Sequence, residues 1–264
     1  MAAAKGVRNL KEATENAEVA TEAEVRGGAG VRVSVIVAAL NEAESIGHVV
    51  SAMPWGGGEG FLLSECLVVD NGSTDATAEI AAAAGAVVVR SPRGYGNAMW
   101  AGMQAAVGQV IVFADGDGAD DVARLGELVA PIARGDADFV LASRIAGTRE
   151  PGSMLPSQVL AGFVMGWLTR LFYGHRYSDM CAFRAIRKDV LERMQMKERN
   201  YGWNLEMQLK AVTMGLRIVE VPVHYRCRIG GVSKVSGNIR ASWQTLLKII
   251  EVFARVRHEM RGVQ

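Results

Sequence analysis

Cysteine is scarce in this 264-residue chain, and the three present are far apart. Cys66, Cys181 and Cys227 include no Cys-x-x-Cys pair, which excludes a disulfide framework and a zinc knuckle. Reduced thiols in a cytoplasmic protein are the expectation. The four histidines, His48, His175, His224 and His258, have no metal-ligand spacing. Charge of one sign is missing too: 29 Lys and Arg face 28 Asp and Glu, a net charge of +1, which argues against a general nucleic-acid binder. No apolar run approaches the ~20 residues needed to span a bilayer. The N-terminus has no continuous apolar stretch of the secretory-signal kind. There is no Walker A sequence and no Gly-x-Ser-x-Gly elbow. Gly94-Tyr95-Gly96 begins like a dinucleotide fingerprint, but the sixth position is Met99 instead of glycine.

Half of the residues are apolar, enough for a sizeable core in one large α/β domain or two small ones. Residues 1–30 are rich in Ala, Glu and Lys, end in Gly27-Gly-Ala-Gly30, and read as a flexible tail. From Val31 onward short apolar runs alternate with helical patterns. Strands are predicted at 33–39, 66–70, 86–90, 110–114 and 138–143. Helices are predicted from about Glu44, at 76–84, from about Asn97 to Ala106, and at 120–133. This alternation predicts a mostly parallel sheet flanked by helices. Residues 145–157 read as a loop, and Val159–Leu168 is a continuous apolar run carried on to about Tyr173. Further strands are expected near 183–185 and 216–222, with helices near 188–196, 204–214 and 240–260.

The chain is organised around Val110-Ile-Val-Phe-Ala-Asp-Gly-Asp-Gly-Ala-Asp-Asp121. In an extended backbone residues i and i+2 point the same way, so Asp115 and Asp117 can aim hard oxygen ligands at one point beyond the strand end. Clustered carboxylates suit Mg2+ or Mn2+, ions that neutralise phosphate. A calcium loop counted from Asp115 fails, because its fifth, sixth and twelfth places hold Ala119, Asp120 and Gly126. A solvated acidic turn remains open for this stretch taken alone. Polar residues also follow the other strands: Asn41 and Glu42, Asp70, Arg93 with Gly94 and Gly96, and Arg144. Their place on one rim suits a nucleoside diphosphate with its metal.

Val35-Ile-Val-Ala-Ala-Leu-Asn-Glu42, Val68-Val-Asp-Asn-Gly-Ser-Thr-Asp75, Phe113-Ala-Asp-Gly-Asp117, Ser178-Asp179, Phe183-Arg-Ala185 and Ser233-Lys-Val-Ser-Gly237 follow in that order. Together they resemble the motifs of family 2 glycosyltransferases, above all the dolichyl-phosphate mannose synthases and polyprenyl-phosphate glycosyltransferases. The resemblance covers about residues 31–240. It implies a GT-A nucleotide-diphospho-sugar transferase fold, with the glycosyltransferase domain at 31–239 and a C-terminal amphipathic helix at 240–264. It further implies an inverting, metal-dependent transfer of a hexose from a UDP- or GDP-sugar to a polyprenyl phosphate.

By the same resemblance Glu42 and Asp70 would hold the base and ribose, with Asn71 and Gly94 in the nucleotide-sugar site. Asp115 would lie near the sugar or metal, and Asp117 would be the principal metal ligand, with Mg2+ or Mn2+ as cofactor. Arg144, Arg228 and Lys234 would contact phosphate oxygens, and Arg184 would do the same or brace the site. Asp179 is either a general base or a positioning group, since a lipid phosphate is already anionic. Glu206 is a candidate for sugar hydroxyls or an exposed helix carboxylate.

The chain departs from the pattern at Ala38, at Ala119, where some relatives carry a further metal ligand, and at Gln158-Val-Leu-Ala-Gly162, where relatives carry Arg and Gly-Asn. The last departure keeps a soluble or saccharide acceptor open, and a non-catalytic partner of a membrane protein is a third reading. In the tail, Trp243, Leu246, Leu247, Ile250 and Phe253 recur at helical spacing beside Arg240, Lys248, Arg255, Arg257 and Arg261. With the run Val159–Leu168, this pattern predicts peripheral contact with the cytoplasmic membrane face. Packing onto the domain or onto a partner, such as the second copy in a homodimer, is the alternative.

Overall fold

The computed structural model describes residues 30–230 and 239–261, the latter with side chains from 248 to 259. The expected tail at 1–29 and the Ser233–Gly237 motif with Lys234 lie outside the described residues.

Among the described residues seven strands form one sheet: β1 (Val31–Ala39), β2 (Phe61–Asp70), β3 (Val87–Arg90), β4 (Val110–Asp115), β5 (Phe139–Arg149), β6 (Arg184–Arg187) and β7 (Ile218–Tyr225). Their order is β3-β2-β1-β4-β6-β5-β7. All neighbours are parallel except β6, which runs antiparallel to both β4 and β5. Helices α1 (Ile46–Ser51), α2 (Thr77–Ala83), α3 (Tyr95–Ala105) and α4 (Leu125–Ala133) connect the first five strands. Then come α5 (Pro156–Tyr173), α6 (Lys188–Met194), α7 (Trp203–Thr213) and α8 (Ile239–Arg261). The mostly parallel α/β architecture expected from the alternating pattern is present.

The central strands are mostly apolar, as expected of a parallel sheet with both faces covered. Val33, Val35, Ile36 and Val37 of β1 and Ile111, Val112 and Phe113 of β4 are fully or almost fully buried. Register then aligns their carboxyl ends. Ala38 pairs with Asp115 on one side of β1, and Ala39 pairs with Asp70 on the other. Asp70 in turn pairs with Arg90. The first polar residue after each apolar run therefore lands on a common rim.

One expectation fails at residues 145–157. β5 continues through Arg149, and after a register shift Thr148 and Arg149 pair with His224 and Tyr225. Gly147, which reads as a loop signal, sits where the strands close: a Cβ there would lie 1.9 Å from the Val223 carbonyl oxygen. The glycine permits a close backbone approach inside a sheet.

The C-terminal helix packs against the domain over its described side chains. Val252 and Val256 are buried with Met165 of α5 and Leu205 and Leu209 of α7, and Ile249 and Phe253 lie against the same cluster.

Candidate active site

β4 delivers its acids into a loop tied down from three sides. The Ser45 hydroxyl donates to the Gly116 carbonyl at 2.7 Å, linking the loop to the turn after β1. Gly118 takes φ +78, and a Cβ there would strike the Ile229 side chain. The segment after β7 is laced across the loop. The Arg226 amide donates to the Ala119 carbonyl and the Ile229 amide to the Asp117 carbonyl, each at 3.0 Å.

Within this loop Asp117 is 8% exposed. Its Oδ1 accepts the Ala119 amide at 3.0 Å, and its Oδ2 lies 3.2 Å from the Arg228 guanidinium. Asp120, also buried, accepts the Asp115 amide at 3.2 Å. Burial, followed by the charge of Asp117, pushes the Asp115 carboxyl up to about 7. Burial, followed by Asp115 and Asp117, pushes Asp120 up to about 8. Negative charge is thus crowded here beyond what Arg228 and the nearby Arg144 balance.

That surplus, on a donor set of hard oxygens, fits a divalent cation of the Mg2+ or Mn2+ kind. Asp115 and Asp117 are the residues that would hold it. Among the described residues no three His, Cys, Asp or Glu side chains converge as a protein-only cage. Such ions commonly take one or two carboxylates and complete the shell with phosphate oxygens and water.

The same rim continues through the ends of β1 and β2 and the loop before α3. The Asp70 carboxylate accepts the Ser73 amide at 2.8 Å. Asn41, at φ +52, accepts the Thr74 amide at 2.8 Å through its side chain. The Glu42 amide donates to Thr77 Oγ1 at 2.8 Å. The Asn71 side chain grips Gly94 twice: its Nδ2 donates to the Gly94 carbonyl and its Oδ1 accepts the Gly94 amide, both at 2.8 Å. Gly94 has φ +128, and a Cβ there would meet the Arg199 carbonyl at 2.5 Å. A glycine turn with its backbone beside Asp70 suits close approach of a nucleotide.

Beyond the acidic loop, Arg144 and Asp179 form a bidentate pair, Nε to Oδ2 at 2.8 Å and Nη2 to Oδ1 at 2.7 Å. The Arg144 and Met180 amides also donate to that carboxylate. The Arg144 guanidinium stacks 4.9 Å from the Tyr225 ring centroid.

Two expected residues sit elsewhere. Arg184 is fully buried and donates to the carbonyls of Cys181, Ala182 and Asn204, so it braces the wall beneath the acidic loop. Glu206 is 0% exposed: it accepts the Lys197 and Glu198 amides and pairs with Lys210 at 2.8 Å. It is not presented to the rim, and neither alternative for it, sugar contact or exposed carboxylate, describes its position. Asp120 is the acid that the motif-based reading left out. It stands five residues after Asp115, and only the fold turns it back beneath the strand end.

The family model for glycosyl transferase family 2 matches residues 34–195. The chain belongs to that family. It is 38% identical over 229 residues to an uncharacterized glycosyltransferase of Mycobacterium tuberculosis, covering 86% of this chain and 100% of that one. It is 30% identical over 231 residues to the undecaprenyl-phosphate mannosyltransferase of Micrococcus luteus, covering 79% of this chain and 89% of that one. Mannosyl-3-phosphoglycerate synthase from Rubrobacter xylanophilus superimposes with a TM-score of 0.68 at 21% identity, over 88% of this chain and 75% of that one. Glucosyl-3-phosphoglycerate synthase from Mycobacterium tuberculosis, crystallised with Mn2+, UDP-glucose and phosphoglyceric acid, gives 0.66 at 23% identity, over 88% and 82%. At those identities the structural likeness establishes the GT-A fold alone. The chain is therefore a glycosyltransferase, with its acidic loop at the carboxyl end of β4.

Proposed function

We propose that this glycosyltransferase is metal-dependent and inverting, and that it moves a hexose from a UDP- or GDP-sugar to a polyprenyl phosphate at a membrane surface. The observation carrying the donor half is the crowding of Asp115, Asp117 and Asp120 on the rim that also bears the Asn71–Gly94 clamp. Asp70 and Glu42 suit the donor edge of a base and a ribose, and Gly94 admits the diphosphate. Asp115 and Asp117 would hold a divalent cation, which would supply positive charge to the departing diphosphate. Arg228, whose guanidinium lies 3.2 Å from Asp117, would contact that diphosphate. Lys234, six residues further on, is the second cation assigned to it.

The acceptor half rests on Asp179. Its oxygens are occupied by the Arg144 fork and two amides, so it is a positioning group in this reading. A hydroxyl acceptor has a proton to lose, and Asp179 has no free oxygen to take it. A phosphate acceptor is already an anion and attacks the anomeric carbon unaided. Arg144, held flat between Asp179 and Tyr225, would steer that phosphate.

Membrane contact has support in α5. Leu160, Phe163, Val164, Trp167, Leu171 and Phe172 are all exposed, and Arg176 stacks on the Phe163 and Trp167 rings. No helix among the described residues is long and apolar enough to cross a membrane.

A second reading keeps the donor site and takes a soluble phosphorylated acceptor, as the phosphoglycerate-bound fold neighbour does. Gln158, where lipid-phosphate relatives carry charge, here caps its own helix by accepting the Leu155 amide. The experiment supplies UDP- and GDP-hexoses with Mn2+ and either undecaprenyl phosphate in vesicles or 3-phosphoglycerate. A sugar that partitions with the lipid is the expected product. A water-soluble glycoside alone selects the second reading. Absence of both products, with no nucleotide-sugar hydrolysis, removes the catalytic proposal.

A further inference from the structure

The clamp on Gly94 has a second wall, and it connects to the far end of the chain. The Asn97 amide donates to the Arg199 carbonyl at 2.9 Å. A Cβ on Gly96 would lie 2.5 Å from the Glu198 carbonyl oxygen. The Arg199 guanidinium lies over the Trp100 ring, 4.1 Å from its centroid. Residues 198–200 therefore press backbone against backbone on the loop that opens α3.

What holds residues 198–200 is α8. Glu198 is 3% exposed, and its carboxylate pairs with Arg255 at 2.8 Å and Lys248 at 3.4 Å, both from α8. Arg255 also faces Glu206 at 3.6 Å, and Glu206 in turn accepts the Lys197 and Glu198 amides. Lys197 reaches Glu259 at 2.8 Å. Gly202 lets the helix come this close: a Cβ there would lie 2.8 Å from Glu198 Oε2 and 2.9 Å from Val252 Cγ2. A buried carboxylate keeps its place only while its cations stay, so Glu198 transmits the position of α8 to the peptide that backs Gly94.

We infer that Arg255 and Glu198 are positioning residues for the nucleotide site: through them the C-terminal helix sets the backbone of the Gly94–Asn97 turn. The inference rests on the nucleotide-sugar reading of that turn. Arg255 touches neither donor nor acceptor; it acts through Glu198, then Arg199, then Asn97. α8 accordingly tunes donor affinity and is more than a covering for the apolar patch on α7.

The test measures the dissociation constants of UDP and of GDP, each with Mn2+, for the full chain by calorimetry well below the melting temperature. Four variants are compared with the native protein: Arg255→Ala, Arg255→Lys, Glu198→Gln and, as a stability control, Leu128→Ala. Leu128 is buried in α4 and has no part in this chain of contacts. Arg255→Ala and Glu198→Gln are expected to weaken the bound nucleotide about tenfold, the scale of a displaced positioning group. Arg255→Lys should recover part of the loss. Leu128→Ala should lower the melting temperature and leave affinity within about twofold of native. If Arg255→Ala does not give folded protein, Glu198→Gln is read by the same criterion. Native affinity in the Arg255 and Glu198 variants, or equal weakening in Leu128→Ala, overturns the inference while the donor reading stands. A native chain that binds neither nucleotide overturns both.

Discussion

Asp117 shows most directly how single residues carry the chemistry. Its neighbours Asp115 and Asp120 are pushed up to about 7 and about 8, while it keeps Arg228 as a partner. Asp117→Asn should abolish the rise in melting temperature that Mn2+ gives the native protein, and should cut transfer by roughly 10²-fold or more. Retention of both would remove Asp117 from the metal site. Asp179 gives a prediction of a different kind. Asp179→Ala leaves Arg144, whose side chain is 17% exposed, without its bidentate partner. Breaking a buried pair this way costs roughly 3–5 kcal/mol, readable as a lower urea midpoint. A loss below about 1 kcal/mol would mean that water already screens the pair.

Residue by residue, the motif acids were legible because strand period and rim position put them there: Asp115 and Asp117 end an apolar run, and Asp70 ends another. Asp120 and Glu206 were not legible in their actual places. A carboxylate on a helix or acidic loop is ordinarily solvated, and only tertiary packing shows that Glu206 has Lys210 one turn away in a closed pocket. Arg184 was legible only as a pair of alternatives, and the fold chose bracing by supplying three carbonyls.

At the scale of elements, β6 is the piece that alternation did not orient. An antiparallel strand between β4 and β5 carries the same apolar signature as a parallel one, and only the register of Phe113 with Arg184 reveals its direction. Asp138, just before β5, clasps the last residue of β6 and the residue before β7. Its carboxylate takes Nε of Arg217 at 2.9 Å and Nη2 at 2.8 Å, and Arg187 of β6 at 3.3 Å. These bonds, Arg217's first, hold Asp138 at about 2 against an ordinary 3.8. A depressed carboxylate stabilises the fold above its unfolded pKa and stops doing so as pH falls through the folded one. The native protein should therefore lose stability between about pH 4 and pH 2, and Asp138→Asn should flatten part of that slope in acid-denaturation curves. A variant curve with the native slope would show that Asp138 contributes nothing to it.

For the molecule as a whole, the apolar surface is unevenly placed. The described part of α8 turns Val252 and Val256 inward, whereas α5 leaves Leu160 63% and Leu171 73% exposed. Helical period alone could not separate these cases, since both helices carry apolar stripes flanked by arginines. Which stripe is covered depends on α7, whose Leu205 and Leu209 meet both helices at one patch. If α5 is the face that meets lipid, the pair Phe163→Glu and Trp167→Glu should release the protein from anionic vesicles at unchanged melting temperature. Undiminished cosedimentation would move the contact elsewhere.

The proposed transfer depends on one event, the joint capture of a nucleoside diphosphate and a divalent cation at the carboxyl ends of β1, β2 and β4. Calorimetric titration of the native full chain with UDP and with GDP, each with Mn2+ and again with excess chelator, measures it directly. Saturable binding of at least one nucleotide with Mn2+, lost with chelator, is the expected result. Binding indifferent to chelator, or no binding of either nucleotide, would contradict it.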